Sequence, residues 1–475
     1  MSQTYDPIHN AREQISRILG PKALISGEDA KAYEQEFRGL YYGKAALVCF
    51  PSSVNEVQTV VDIAAQNGLS IIPQGGNTGL AHGSTPDDSG QQIVMSLKHM
   101  NKIRLIDSVN ACLVAEAGCT IRQIQEAAQE VGLKYPVSYG SEMSATIGGG
   151  ISCNSGGIQV LRYGNTRDNI LGIEAVMANG RVLDQLGMLR KDNTGFALHQ
   201  LFTGAEGTLG IVTAASLKLV QDLKRTATAV VGLTEPAHGV ALLQQFKEET
   251  SEFLTSFEMV PRIGIDFVTK HIPDTRFPLT TQTPWIVLVE LASTGKGVDI
   301  DQLMQEILTQ ALEGELVQDT AIAMNEGQRS TMWKLRESLP EAQRHEGFCV
   351  TNDISLPISR IVEFIDEMEQ EIQAHFPGVR ILSYGHVGDG NLHYNIHSSD
   401  QYPPEKLKGQ ALEIISRVNA RTLEMKGSIS AEHGIGRSRL DELRQCKDPV
   451  SADVMRRIKE ALDPHDLFNP GILIP

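Results

Sequence analysis

Histidines and a glutamate stand in two short segments whose spacing suits metal and acid–base chemistry. The first segment is Tyr384-Gly-His386-Val-Gly-Asp389-Gly390-Asn-Leu-His393-Tyr-Asn395. Asp-Gly is the preferred two-residue hairpin loop of type I′, so residues 389 and 390 are expected to form the turn. In that register His386 lies opposite His393, and Tyr384 opposite Asn395. Opposed residues share one sheet face with Cβ atoms about 5 Å apart, which arranges two imidazoles for one metal ion. The second segment is Ala431-Glu432-His433-Gly434-Ile-Gly436, a carboxylate and an imidazole bounded by glycines. Two histidines and one carboxylate leave coordination positions open, the pattern of a catalytic rather than a structural metal site.

Glycine clusters in three loops carry the second kind of chemistry. The first is Pro73-Gln-Gly-Gly-Asn-Thr-Gly79-Leu-Ala-His-Gly83-Ser84. The second runs from Ser141 through Thr146, Gly148-Gly-Gly150, Asn154 and Gly156-Gly157 to Arg162-Tyr-Gly164-Asn-Thr-Arg-Asp168. The third is Gly204-Ala-Glu206-Gly207-Thr-Leu-Gly210-Ile211-Val-Thr213. Glycines after a strand let successive backbone N–H groups converge on an anion with no side chain in the way. No Lys-Ser/Thr follows the first loop, so it is not a P-loop, and GxGxxG is absent, so a Rossmann nicotinamide site is unsupported. Three such loops suit one long ligand, a dinucleotide such as FAD, better than a mononucleotide.

The elements that must position these segments are legible in outline. Residues 1 to about 40 read as two short helices. ALVCFPSS is a strand, Ser53-x-x-Glu56 is a capping box opening a helix that Gly68 closes, and SIIPQGG is a second strand, together a βαβ unit. Thr120-x-x-Gln123 opens the helix of a second such unit that ends at KYPVS. Composition shifts near residue 222, where a separate α+β domain begins, and the tail from about 410 is mainly helical. The expected segments are therefore 1–40, 41–222, 223–410 and 411–475.

Composition narrows the classes of function. Against 42 basic side chains stand 58 acidic ones, a net charge of −16, which argues against binding nucleic acid through its phosphates. No run approaches the roughly 18 apolar residues of a transmembrane helix. The start lacks a basic and an apolar region, so no export signal is expected, and six cysteines without a pairing pattern fit a reducing, cytoplasmic setting.

PQGGNTGL, TIGGGISCNSGG, RYGN and TGAEGTLGIVT resemble the FAD-binding domain of the vanillyl-alcohol-oxidase superfamily, and within it the D-2-hydroxy-acid dehydrogenase branch of D-lactate, glycolate and D-2-hydroxyglutarate dehydrogenases. The resemblance covers about residues 40 to 475. It implies an α+β fold: a two-subdomain FAD-binding domain, an α+β substrate or cap domain, and a helical C-terminal segment completing the active site. It implies that Gln74, Gly75, Gly76, Asn77, Thr78, Gly79, Leu80 and Ser84 hold the pyrophosphate. Ser141, Thr146, Gly149, Asn154, Gly156, Gly157, Tyr163, Gly164, Ile211 and Asn469 would line the rest of the FAD. Some superfamily members tether the flavin through a histidine after the paired glycines. Asn77 stands there, and His82 reads as a local structural side chain, so the FAD is expected to be non-covalent.

The same resemblance implies that His386, His393 and Glu432 ligate a divalent ion, zinc in the first place, and that His433 is the base; spacing alone does not separate these roles. A 2-hydroxy acid would chelate the ion, His433 would take its hydroxyl proton, and hydride would pass to flavin N5, giving the 2-oxo acid. Arg336, in Trp333-Lys-Leu-Arg336-Glu, would grip the substrate carboxylate, with Asn395 and Thr351 lining the substrate site. Hydroxyglutarate-type members carry threonine four residues after this arginine and lysine shortly before Asp-x-Ser-x-Pro. Here Pro340 and Thr351 stand there, which favours a substrate with a short or neutral tail. The expected electron acceptor is a quinone, a cytochrome or an electron-transfer flavoprotein, and a homodimer is compatible with the reading. A metal hydrolase and a non-catalytic flavoprotein subunit are the alternatives; flavin absorption separates the first, and the complete His/His/Glu/His set speaks against the second.

Overall fold

The computed structural model describes residues 6–295 and 297–475. The chain divides into two compact units, one of Met1–Gly157, Tyr163–Asp222 and Glu432–Pro475, the other of Ile158–Arg162 and Leu223–Ala431.

In the first unit a four-stranded sheet has the order Leu24–Ile25, Ala45–Cys49, Gln92–Ser96, Ser70–Gln74. The last three strands run parallel and are largely buried, so their sequences are apolar without strict alternation. Helix Val54–Asn67 makes the crossover, as the first βαβ unit requires. Ser53 Oγ accepts the Glu56 N–H at 3.3 Å, but the Glu56 carboxylate reaches back to the Ser52 N–H at 2.6 Å instead of closing the box on Ser53. Gly68 ends the helix with φ 64°, a left-handed turn that glycine adopts without strain. The C-terminal tail returns to this sheet: Ile71 N–H donates to Leu467 O at 2.7 Å and Asn469 N–H to Ile71 O at 2.9 Å.

A second, antiparallel sheet has the order Ile103–Asp107, Cys112–Glu116, Ile211–Lys218, Ile170–Val176, Val182–Gln185. The second βαβ unit is not formed. Thr120 and Gln123 do make a reciprocal capping box on helix Ile121–Glu130. The following strand, Leu133–Lys134, pairs instead with Val220–Gln221 in a separate two-stranded sheet. Both edges of Cys112–Glu116 are already filled by antiparallel neighbours, so no parallel partner can join it.

The second unit carries an antiparallel sheet ordered Leu254–Pro261, Trp285–Ser293, Arg225–Leu233, Asp319–Ile322. Its other sheet is built around Asn391–His397, paired on one side with Arg380–Tyr384 and on the other with Cys349–Val350 and Asp353–Ser355. Alternation along Asn391–His397 sends Leu392, Tyr394 and Ile396 into the largest core, so His393, Asn395 and His397 belong to the opposite face. Among the described residues, no helix is long and apolar enough to cross a membrane.

Candidate active site

The hairpin that carries the two histidines is not the expected one. Tyr384, not His386, pairs with His393, and Leu382, not Tyr384, pairs with Asn395. Residues 385–390 form a six-residue connection because Gly385 leaves the strand to bridge Met259, exchanging hydrogen bonds of 3.0 and 3.1 Å. The turn then closes on itself, with His386 O accepting the N–H groups of Asp389, Gly390 and Asn391. A side chain at Gly385 would meet Asn391 O at 2.5 Å, so this close return needs glycine. The two imidazoles nonetheless come together, with ring centroids 5.7 Å apart and planes at 74°.

Each imidazole is backed by a buried carboxylate. Glu258 Oε1 lies 2.6 Å from His386 Nδ1, and Asp353 Oδ1 lies 3.7 Å from His393 Nδ1. Asp353 is itself fixed by Asn391 Nδ2 at 2.9 Å. A carboxylate behind one ring nitrogen leaves the other for a metal, the arrangement typical of histidine ligands. Glu258 also accepts from Arg336 Nε at 2.6 Å, and Arg336 Nη2 lies 3.4 Å from His386 Nε2. Burial pushes the Glu258 carboxyl up, but His386 and Arg336 outweigh it and hold the group down at about 2. The Arg336 guanidinium sits over the Tyr384 ring at 4.9 Å.

Gln343 organises the neighbouring face. Its Oε1 accepts from Asn395 Nδ2 at 2.8 Å and lies 3.1 Å from His397 Nε2, while its Nε2 donates to Tyr384 Oη and Leu339 O. Asn395 Oδ1 accepts the Asn352 N–H at 3.3 Å, so both ends of the Asn395 amide have protein partners. Thr351 is exposed, and Pro340 lies in the first turn of helix Leu339–His345.

Glu432 follows Ala431, whose N–H donates to Asp353 O at 3.2 Å. One ligand atom each of His386, His393 and Glu432 lies within 4.8 Å of the others. His433 Nε2 is 3.5 Å from Glu432 Oε1. The loop that carries them is held from below by Glu206, whose two carboxylate oxygens accept the N–H groups of Ile435 at 2.8 Å and Gly436 at 2.7 Å. Burial raises the Glu206 carboxyl, and these two amides lower it only in part. At Gly436 a side chain would strike Ala81 O at 1.8 Å.

The three glycine loops converge within the first unit. A side chain on Gly76 would sit 1.9 Å from Ser144 O, which is how closely the first loop lies on the second. A cavity of about 380 Å³ is lined there by residues including Gln74, Gly75, Gly76, Asn77, Lys98, Ser144 and Thr146. Gln74 Oε1 and Thr146 Oγ1 are buried without a protein partner, and buried polar groups need one, so these residues fit a polar ligand such as the dinucleotide. Other expected FAD residues serve the loops themselves. Ser84 Oγ donates to Asn77 Oδ1 at 2.9 Å and Asn77 Nδ2 to Gln35 O at 2.9 Å; Asn469 Nδ2 donates to Gly83 O and Glu206 O. Asn154 Oδ1 accepts the Arg167 N–H, and Tyr163 O accepts from Asn169 Nδ2. Ile211 is 1% exposed and packs in a core cluster with Val176. His82 stacks on Tyr41 at 5.0 Å.

The fold is that of the vanillyl-alcohol-oxidase class. The structure of p-cresol methylhydroxylase with substrate bound superposes with a TM-score of 0.75 at 18% identity, covering 99% of this chain and 97% of the other. Alkyldihydroxyacetonephosphate synthase superposes with a TM-score of 0.74 at 17% identity, covering 98% and 85%. In sequence, the "FAD binding domain" model matches residues 45–185 and "FAD linked oxidases, C-terminal domain" matches residues 223–473. The chain therefore belongs to the FAD-linked oxidase family, as an oxidoreductase similar over nearly its whole length to D-2-hydroxyglutarate dehydrogenases. The Arabidopsis thaliana mitochondrial D-2-hydroxyglutarate dehydrogenase is 34% identical over 97% of this chain and 81% of its own. The Stutzerimonas stutzeri D-2-hydroxyglutarate dehydrogenase is 31% identical over 97% of each. A D-2-hydroxyglutarate–pyruvate transhydrogenase of Saccharomyces cerevisiae is 31% identical over 93% of this chain and 89% of its own.

Proposed function

We propose that the protein oxidises a D-2-hydroxy acid to the 2-oxo acid, with non-covalent FAD and a divalent ion, zinc in the first place, held by His386, His393 and Glu432. The observation that carries this reading is the pair of imidazoles, each backed by a carboxylate, beside a buried arginine. Arg336 binds the substrate carboxylate and orients the Cα–H bond. His433 takes the hydroxyl proton while the C–O bond becomes a carbonyl and the Cα–H electron pair leaves as hydride. The bound cofactors supply the hydride acceptor and the Lewis acid. Electrons then pass to a quinone, a cytochrome or an electron-transfer flavoprotein, since no nicotinamide fingerprint is present in the sequence.

The relatives' names point to D-2-hydroxyglutarate, yet Pro340 has no hydroxyl and Thr351 no charge to offer a second carboxylate. We therefore assign a D-2-hydroxy acid with a short or neutral tail, leaving the head group in common with the relatives. Anaerobic bleaching of the flavin against a panel of D- and L-2-hydroxy acids, with and without EDTA, tests the reading. D-acids should bleach the flavin, short-tailed ones fastest, and EDTA should stop bleaching while the flavin stays bound. Bleaching that is indifferent to EDTA would refute the metal role, and bleaching by L-acids alone would refute the substrate class.

A further inference from the structure

We infer that Glu258 is a positioning residue that fixes, through one carboxylate, both the proposed metal ligand His386 and the proposed carboxylate-binding Arg336. This rests on the function proposed above. Glu258 lies in strand Leu254–Pro261, where every residue is buried, and is itself 1% exposed. Its two oxygens divide the work, Oε1 to His386 Nδ1 and Oε2 to Arg336 Nε, each at 2.6 Å.

Two consequences follow from the chemistry of that carboxylate. With Oε2 already accepting from Arg336 Nε, Oε1 faces His386 Nδ1 as an acceptor, so the His386 proton is placed on Nδ1 and the lone pair on Nε2, the tautomer a metal ligand needs. Pinning Nε fixes the plane of the Arg336 guanidinium at the end of helix Glu326–Glu337. The backbone next to Glu258 and the backbone next to His386 are already joined by the Met259–Gly385 bridge. The fold thus holds the two segments together without the carboxylate; what the carboxylate adds is proton placement and orientation. A buried ion pair is weak support for stability compared with well-packed apolar side chains, which agrees with a role in the site.

The test compares wild type, Glu258→Gln and Glu258→Asp as flavin-loaded full chains. Zinc affinity is measured on chelator-stripped protein by competition with a chromophoric chelator, beside KM and kcat for the hydroxy acid, flavin content and thermal melting. A glutamine amide can turn its NH2 toward His386 Nδ1 and so move the imidazole proton to Nε2. Glu258→Gln should therefore lose about 10–100-fold in zinc affinity and raise KM, with flavin content unchanged. Glu258→Asp keeps an acceptor-only group but is too short to span both partners, and should lose less zinc affinity than the glutamine variant. Zinc affinity and KM in Glu258→Gln within about twofold of wild type overturn the inference. Should that variant lose its cooperative melt, Glu258→Asp with wild-type zinc affinity and KM overturns it equally. A wild type that takes up no zinc defeats the metal reading itself, and that result is visible before any variant is made.

Discussion

Glu206 holds the loop of Glu432 and His433 without lying in it, and its replacement by glutamine separates loop geometry from general stability. The wild-type carboxylate accepts two adjacent amides, Ile435 N–H and Gly436 N–H, at 2.8 and 2.7 Å. Glutamine offers one oxygen, so one amide is left facing an NH2 group. A hydrogen bond to a charged group contributes about 1.5–3 kcal/mol. Burial opposes ionisation of Glu206, so removing the charge returns part of that in global stability. The net change in unfolding free energy should accordingly be small, about 1 kcal/mol, whereas the loop must be held at its full local cost during turnover. At about 1.4 kcal/mol per tenfold, Glu206→Gln should lower kcat by roughly 10- to 100-fold. Steady-state kinetics at saturating hydroxy acid, with flavin content and melting temperature on the same preparation, provide the assay. A folded, flavin-loaded Glu206→Gln enzyme with kcat within about twofold of wild type would show that the loop does not need this anchor.

His397 is fully buried against Gln343, and burial together with the Arg380 charge pushes its imidazole down to about 4. The unfolded chain takes up this proton near pH 6.5 and the folded one does not, so stability should fall as pH drops from 6.5 to 4, by up to about 1.4 kcal/mol per unit, and flatten below. Urea melts across that range should lose this slope in His397→Gln; an unchanged slope assigns the acid sensitivity elsewhere. Thr351→Lys should move kcat/KM toward D-2-hydroxyglutarate by about ten- to a hundredfold, while Arg336→Ala should impair every substrate; a Thr351→Lys enzyme with unaltered preference would remove that position from the substrate site. Because Asn77 stands where a histidine would tether the flavin, heat or acid should release FAD into the supernatant, and flavin retained in the precipitate would reveal a covalent tether.

The glycine loops and the histidine segments were visible in the sequence because their chemistry is written in local runs. The register of the histidine hairpin was not: Asp389-Gly390 signals a tight turn, but the Gly385–Met259 bridge, a contact across more than a hundred residues, lengthens it. The βαβ reading succeeded at Ser53–Gln74, where strand edges are open to a parallel partner, and failed after Thr120, where they are filled. Glu258 and Glu206 could not be assigned roles because their partners lie far along the chain. A trace existed for Glu258, a lone carboxylate between Phe257 and the apolar Met259-Val260, since a charge buried there requires a partner.

The tail that closes the first sheet has a consequence for the order of events during synthesis. Asn469 ties Gly83, 386 residues earlier, to Glu206, 263 residues earlier. The buried Lys459 Nζ donates to Thr208 O at 2.9 Å and Phe468 O at 2.8 Å. These contacts close only after all of Leu223–Ala431 has left the ribosome, long after the glycine loops themselves have emerged. The nascent dinucleotide site therefore waits, incomplete, through more than half of translation. A premature stop after Ala431 but before Asn469 would leave the second unit's sequence whole and still deprive the glycine loops of their last stitch.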